Sequence, residues 1–448
     1  MPSLPTPEDS SPKPASGAKS ATSPEPARRW NIVALLIHQV LFRIAWIFKT
    51  ESVIMPAFLD TVSDSGFIRG ALPLLNRTGQ SVAPLLMSDR LSSAPRKAAW
   101  LSRTTFLMGT PFLFLSFSIW YADAKLPEWF AVAFLVAYAV FFCLHGVNEM
   151  AASTVLGKLV EPSVRGRLQA AASTLGTTFA ITLAVLLLSR WLTAPGQRPF
   201  EWIFLFVGSV MMIAGVWARA LREPIDSTGD RTARRTSVLF RDTFALLRTD
   251  KVLRRLCVTA VLFIFSQIIF PHYQWLGLSL PGSKRTALMT WVIAQHVGAA
   301  VFSTISGFLA DRFGTRAALR LLLTCAAFAP LLAIGLAEFS TFSWYWITFF
   351  WIGLVPVTLR MQVNYAIEIV ARERHPEYIS TLNLCMAIPF LFSPLVGGFV
   401  HWFGHIVPFC AVSIIVLTGS LLTWTMKEPR RDNYPAKQQI AEGRKTSG

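Results

Sequence analysis

Apolar residues come in runs of about 20 along this chain, separated by short polar breaks that hold most of its charge. A run of that length crosses ~30 Å of hydrocarbon as an α-helix, and within lipid a helix satisfies its own backbone hydrogen bonds. Reading runs against breaks predicts twelve helices. The first six, α1 to α6, cover 31–59, 67–87, 98–121, 128–150, 167–190 and 200–220. The second six, α7 to α12, cover 254–276, 287–309, 317–337, 341–366, 378–400 and 405–426. Gly and Pro scattered through the runs argue against long barrel strands. The fold class is an all-α polytopic membrane protein.

Composition agrees. Of the 448 residues 53% are hydrophobic and only 15% charged, where soluble domains carry about a quarter. A net charge of +17 would admit a nucleic-acid partner, but its distribution excludes one. Of 42 Lys and Arg, 32 fall in or beside the two tails and the even-numbered loops, and five fall on the opposite side. Five more (Arg43, Lys49, Arg69, Arg77, Arg360) lie inside helices. The positive-inside rule then puts both termini in the cytoplasm and accounts for the charge. An integral protein of a bacterial inner (plasma) membrane is expected.

Five segments follow. Residues 1–29 form a Pro/Ser-rich tail, with seven Pro in the first 27 residues, a composition that favours disorder. Residues 30–221 are a first six-helix bundle, 222–253 a basic linker, 254–426 a second bundle and 427–448 a cytoplasmic tail. Within the linker Phe240, Phe244 and Leu247 have the spacing of an amphipathic helix on the inner leaflet. With no apolar stretch before Trp30, α1 is expected to serve as the targeting signal. The five Cys lie in or beside apolar runs without paired spacing, so they read as small core residues, and no metal is expected. The sequence holds no G-x-x-x-x-G-K-[ST] loop, so neither ATP-driven transport nor a cofactor is expected.

One break is unusually dense in charge: GFLADRFGTRAALR, Gly307 to Arg320. The loop after α2, LLMSDRLSSAPRK, repeats its Asp–Arg pair 222 residues earlier as Asp89–Arg90. Two helices further on, each half has another basic loop, VEPSVRGR at 160–167 and ARERHPEY at 371–378. These pairs point to an internal duplication. The spacing of Gly307, Asp311, Arg312, Gly314 and Arg316 resembles the loop signature of the major facilitator superfamily. The stretch NYAIEIVARERHPEYIS at 364–380 is similar to one in bacterial members of that family. The resemblance implies two pseudo-symmetric six-helix halves, a monomer, a small-molecule solute as cargo and the lipid bilayer as surroundings. It also implies that Asp311, with Arg312 and Arg316, latches the inner side in the outward-open state. The first copy is degenerate, with Leu85 and Ser92 where Gly is expected, so Asp89–Arg90 is the weaker latch.

An ionisable residue near the midplane costs roughly 2.5 kcal/mol or more to insert, so each is a candidate for function. Polar residues within the runs give Arg43, Arg77, Arg360, Gln267 and His296 as the solute-binding set. In the family α1, α4, α7 and α10 line the cavity, which makes Glu149 and the neighbouring His145 on α4 the proton-coupling candidates, with the carboxylate first. Three midplane Arg against one comparably placed acid favour an anionic cargo. Other charges read as incidental. Arg69 snorkels to the outer surface, and Lys49 cannot face Glu51 at i, i+2 of a continuous helix. Glu368 belongs to the cytoplasmic latch. The aromatic run WYWITFFW at 344–351 reads as an interfacial belt. The function expected is secondary active transport by alternating access. The rival is a transporter-like sensor or assembly partner, raised by the degenerate first latch. A membrane hydrolase lacks any Ser/His/Asp spacing to support it.

Overall fold

The computed structural model describes residues 25–122, 126–127, 129–195, 198–225, 243, 245–339, 341–371 and 374–432. The first 24 residues, most of the linker including Phe240 and Phe244, and the end of the C-terminal tail lie outside that set.

All twelve expected helices are present. In the first half α1 is Glu25–Phe48, resuming as Ile54–Leu59, and α2 is Gly66–Ser93. Then come α3 (Lys97–Tyr121), α4 (Phe130–Leu159), α5 (Pro162–Leu183, extended through a π-helical turn to Trp191) and α6 (Arg198–Trp217). In the second half α7 is Lys251–Ile268 with Phe270–Ser279, α8 is Ala287–Phe313 and α9 is Thr315–Phe339. There follow α10 (Trp346–Ile352 with Leu354–Glu368), α11 (His375–Ala387, then a 3-10 stretch, then Ser393–Phe403) and α12 (Ile406–Leu422). Ten of these spans are long and apolar enough to cross a bilayer. The other two are α2, whose polar stripe (Arg69, Asn76, Arg77, Gln80) lowers its hydropathy, and α3. Among the described residues there is no strand.

Helix ends follow ordinary capping chemistry. The Ser65 side chain accepts from the Ile68 amide at 3.4 Å. Asp250 accepts from the Val252 and Leu253 amides at 2.8 and 3.0 Å, a cap that contributes ~1 kcal/mol.

The two halves repeat one packing scheme. α3 lies along α6 as α9 lies along α12, α2 along α4 as α8 along α10, and α1 beside α5 and α6 as α7 beside α11 and α12. Lipid gives apolar helices little reason to associate, so close backbone approach has to carry much of the packing. Small residues permit that approach. A Cβ on Gly109 would lie 2.5 Å from the Gly208 carbonyl, and one on Gly215 would meet the Phe106 backbone.

The halves meet at mid-depth and on the side away from the basic loops, called here the far side. There α2 crosses α11 with Gly66 and Gly70 against Ser393 and Gly397, and Ser393 Oγ donates to the Gly70 carbonyl at 2.7 Å. At mid-depth Arg77 donates to the Asn383 carbonyl at 3.2 Å, and Ser52 donates to Gln295 at 2.5 Å. The far side is sealed. Toward the basic side the ties run within a half, such as Asn31 to Arg222, Lys158 to Glu223 and Arg430 to Glu368.

Three sequence expectations need correction. First, α1 is not continuous over 31–59. It stops at Phe48, turns through 49–53 with its amides held in tight turns (Thr50 N to Ile47 O, Ile54 N to Thr50 O), then resumes. Such a break is tolerated at membrane depth where it borders a cavity. Second, Arg69 does not snorkel. It is 2% exposed, paired to Asp60 at 2.6 Å, with its guanidinium 5.3 Å from the Trp275 ring of α7. Third, the aromatic run is only in part a belt. Trp344 stays on the surface, but Tyr345 is buried and donates to the Tyr273 carbonyl, and Phe349 stacks on Trp291 at 4.6 Å.

Candidate functional site

A cavity of about 530 Å³ lies at mid-depth between the halves. It is lined by Arg43 from α1, Arg77 from α2, Gln267 from α7, His296 from α8 and Arg360 from α10. All five solute-binding candidates therefore share one space. α4 contributes Tyr138 and not the residues named from sequence.

The three guanidiniums differ in how they are held. Arg43 donates to two hydroxyls of α5, Ser173 at 3.2 Å and Thr177 at 3.4 Å, and its stem packs on Gly176. Arg360 reaches only the Pro356 carbonyl, at 3.4 Å. Among the described residues neither bonds to a carboxylate. Arg77 spans the halves to Asn383, and Glu149 lies near enough for the two charges to attract. Arg77 Nε, Gln267 Nε2 and His296 Nε2 are buried without hydrogen-bond partners. A polar atom left so in low dielectric costs roughly 1–3 kcal/mol, so the cavity is short of acceptors.

The proton-coupling candidates lie beside the cavity. Glu149 is exposed, toward the basic side of Arg77. Asn364, one turn beyond Arg360 in the same direction, is exposed too, so water reaches the cavity from the basic side. His145 is buried, its ring 4.6 Å from that of Trp46, with Nδ1 unpartnered.

Lys49 and Glu51 overturn the expectation that they cannot meet. The break in α1 removes helical geometry between them, and Lys49 Nζ lies 2.5 Å from Glu51 Oε1. Lys49 is fully buried, its ammonium 3.4 Å from the Trp46 ring centroid and 4.5 Å from that of Phe142. Asn76 donates to the other Glu51 oxygen, and Gln80 donates to Asn76. Glu51 itself lines the cavity. The polar run KTES, at 49–52 within an apolar stretch, was the available signal.

At the basic side the second motif copy forms a network within its own half. Gly314, at φ +97°, ends α8, and the Glu428 carboxylate fills the space where a Cβ would stand. The Arg316 amide donates to Glu428 at 3.1 Å, its guanidinium donates to the Met426 carbonyl at 2.7 Å, and Thr315 donates to Glu368. Arg430 reaches Glu368 at 2.9 Å, the Ala310 carbonyl at 3.0 Å and Asp311 at 3.4 Å. Burial pushes the Glu428 carboxyl above the usual carboxylate range, and the bonds from Arg316 and Thr315 oppose the shift. Arg312 lies over the neighbouring Phe313 ring, and Gly307 faces open space. In the first half Asp89 and Arg90 are exposed, and Ser88 Oγ donates to the Asp89 carboxylate at 3.4 Å. The counterpart of Glu428 is Glu223, which accepts from the Ala98 amide at 2.6 Å and from Lys158 at 2.8 Å. Each of these glutamates sits at the N-terminus of the third helix of its half, where helix dipole and free amides favour an anion. The repeated Glu–Pro after α6 and after α12 (223–224 and 428–429) could have revealed both.

Two six-helix bundles of equivalent packing, closed around a polar cavity at mid-depth, define a membrane carrier architecture. The family model of the Major Facilitator Superfamily matches residues 32–359 and 282–446, and the chain belongs to that superfamily of membrane transporters. Solved structures share the fold. A bacterial homolog of the human lysosomal transporter Spinster, inward-facing and unoccupied, aligns with TM-score 0.61 and 14% identity over 91% of this chain and 98% of its own. The nucleoside transporter NupG aligns at 0.62 and 13% over 89% and 98%. A D-xylose–proton symporter aligns at 0.61 and 13% over 89% and 99%. A sequence search of characterised proteins gives no match.

Proposed function

We propose that the chain is a secondary active transporter that moves a small anionic solute by alternating access, in symport or antiport with protons. The basic side faces the cytoplasm of a bacterial inner membrane, so the arrangement described is inward-facing. The observation that carries the anionic reading is the pair Arg43 and Arg360. They stand on opposite halves, line one cavity, and bond only to hydroxyl or carbonyl oxygens. Unpaired guanidiniums at this depth are costly, and a carboxylate or phosphate would take their planar forks bidentately. The unpartnered donors at Arg77 and Gln267 ask for further acceptor oxygens.

The test begins with a thermal-shift panel of carboxylates, phosphates, neutral sugars and amines on the purified protein. Arg43 and Arg360 are then replaced singly by Gln and by Lys. For the solute found, Gln should weaken binding about tenfold to a hundredfold, as loss of a charged hydrogen-bond pair implies, and Lys should weaken it less. Saturable transport of an uncharged solute, indifferent to both Gln variants, would end the anionic reading.

A further inference from the structure

We propose that Glu51 and Lys49, at the break in α1, form the proton-binding site through which transport is coupled to a proton gradient. This deepens the transport reading above and rests on it. What carries it is a juxtaposition: a lysine closed off from water, and its only carboxylate partner open to the cavity. Lys49 is 0% exposed, and the Glu51 side chain 25%. A proton arriving through the cavity therefore reaches Glu51 first.

The groups around the pair set the consequence. Asn76 of α2 donates to Glu51, and Tyr138 of α4 borders the same part of the cavity. His145 of α4 stands beside Trp46, ring centroids 4.6 Å apart, close enough to feel Lys49. Arg43 and Arg77 of this half and Arg360 and His296 of the other line the same cavity, and among the described residues no acid other than Glu51 lines it. Protonation forms one O–H bond on Glu51, the proton coming from cavity water, with no change of oxidation state. It turns an ion pair into an acid beside an unpaired ammonium, so the wall gains one positive charge.

Two effects follow. The added charge strengthens anion binding at Arg43 and Arg360, and by reciprocity a bound anion strengthens proton binding. The unpaired ammonium, enclosed by Trp46, Phe141 and Phe142, also destabilises the sealed arrangement. That arrangement holds the break through Ser52, bonded to Gln295 of the other half. Parting Ser52 from Gln295 opens the far side and wets the break. Proton and anion thus load together from the far side, and both leave on the cytoplasmic side as Lys49 recaptures Glu51. Glu149, exposed, bears on the contact between halves only through its attraction to Arg77, whose bond to Asn383 does not depend on it.

The test uses no solute, so its failure is separable from failure of the anionic reading. In lipid vesicles, infrared difference spectra between pH 8 and pH 5 should contain a protonated-carboxyl component that E51Q abolishes and E149Q retains. K49Q should move its midpoint to higher pH, because the stabilising cation is gone. A single cysteine at Leu72, which lines the cavity and is 1% exposed, reports the far-side seal in a background free of native Cys. At pH 8, E51Q should raise its labelling by external impermeant maleimide at least about fivefold, the lower end of ordinary coupling. K49M/E51Q, which strands no charge, should restore the slow rate, and H145Q should leave it unchanged. A carboxyl component intact in folded E51Q, or lost in E149Q instead, overturns the proposal. So does unchanged labelling in E51Q. Should E51Q fail to fold, an unmoved midpoint in K49Q overturns it.

Discussion

Arg43 leaves α1 against a glycine, and that contact sets where its guanidinium can go. A Cβ at Gly176 would stand 2.7 Å from Arg43 Cβ and 2.9 Å from Cγ. Gly176→Ala should push the side chain off Ser173 and Thr177 and weaken solute binding severalfold, while insertion and melting change little. Binding equal to the parent would mean that Arg43 is not held by α5. Glu428 gives a pH-dependent counterpart. Its folded pKa is raised, so its seat over Gly314 contributes most below the ordinary carboxylate value of about 4.5 and loses that contribution as pH rises through the raised value. Between pH 5 and pH 8 the melting temperature of Glu428→Gln should therefore depend less on pH than that of the parent. Parallel profiles would remove Glu428 from the pH dependence of stability. At this scale the sequence was uneven. Arg43, Arg77, Arg360, Gln267 and His296 were legible as polar residues inside apolar runs. The pairing of Lys49 with Glu51 was not, because i, i+2 contact needs a break, and Pro56, the one residue that marks it, also fits inside a kinked continuous helix.

For whole helices, period and length were legible, and interruptions were not. The runs gave twelve helices, and the breaks gave the basic loops. Yet α1, α7, α10 and α11 are each interrupted, and the cavity walls are built at those points from residues such as Glu51, Phe270, Val355 and Phe390. Hydropathy averages over a window of many residues, so a four-residue departure inside an apolar run leaves little trace. The crossing of α2 and α11 was invisible for another reason. Gly66, Gly70 and Gly397 are ordinary membrane glycines in sequence, and only the fold brings them together across the halves. A Cβ on Gly66 would collide with the Gly397 carbonyl, and one on Gly70 would lie 2.5 Å from the Ser393 carbonyl. Backbone oxygens cannot swing aside as a side chain does. Gly66→Ala and Gly397→Ala should each hold the far side ajar, raising external labelling of a cysteine at Leu72, without loss of either bundle. Gly335→Ala, in open space, serves as the control. Slow labelling in both crossing variants would show that the seal does not depend on this contact.

The molecule as a whole has two ends to close, and only one is closed here. The far-side seal is made of backbone crossings and the Ser52, Arg77 and Ser393 bonds. At the basic end Asp311 is held, among the described residues, from within its own half by Arg430, and its side chain is 83% exposed. A carboxylate left so open at a helix end is free to accept bonds from the other half once that end closes. Asp311→Asn should therefore spare the arrangement seen here, since Arg430 keeps Glu368 and the Ala310 carbonyl. It should weaken the opposite one. Losing one or two charged hydrogen bonds, about 1.5–3 kcal/mol each, shifts the balance between the states at least about tenfold. Labelling of a cysteine at Ala299, in the cavity wall, from the basic side should rise, and transport should fall by a similar factor, at unchanged expression and melting. Asp89→Asn should do less, because the first loop lacks both glycines of the motif. Equal effects of the two variants would make the degenerate loop a working latch. No effect of either would mean that closure of the basic end rests on other residues, with Glu223 and Glu428 the next groups to replace.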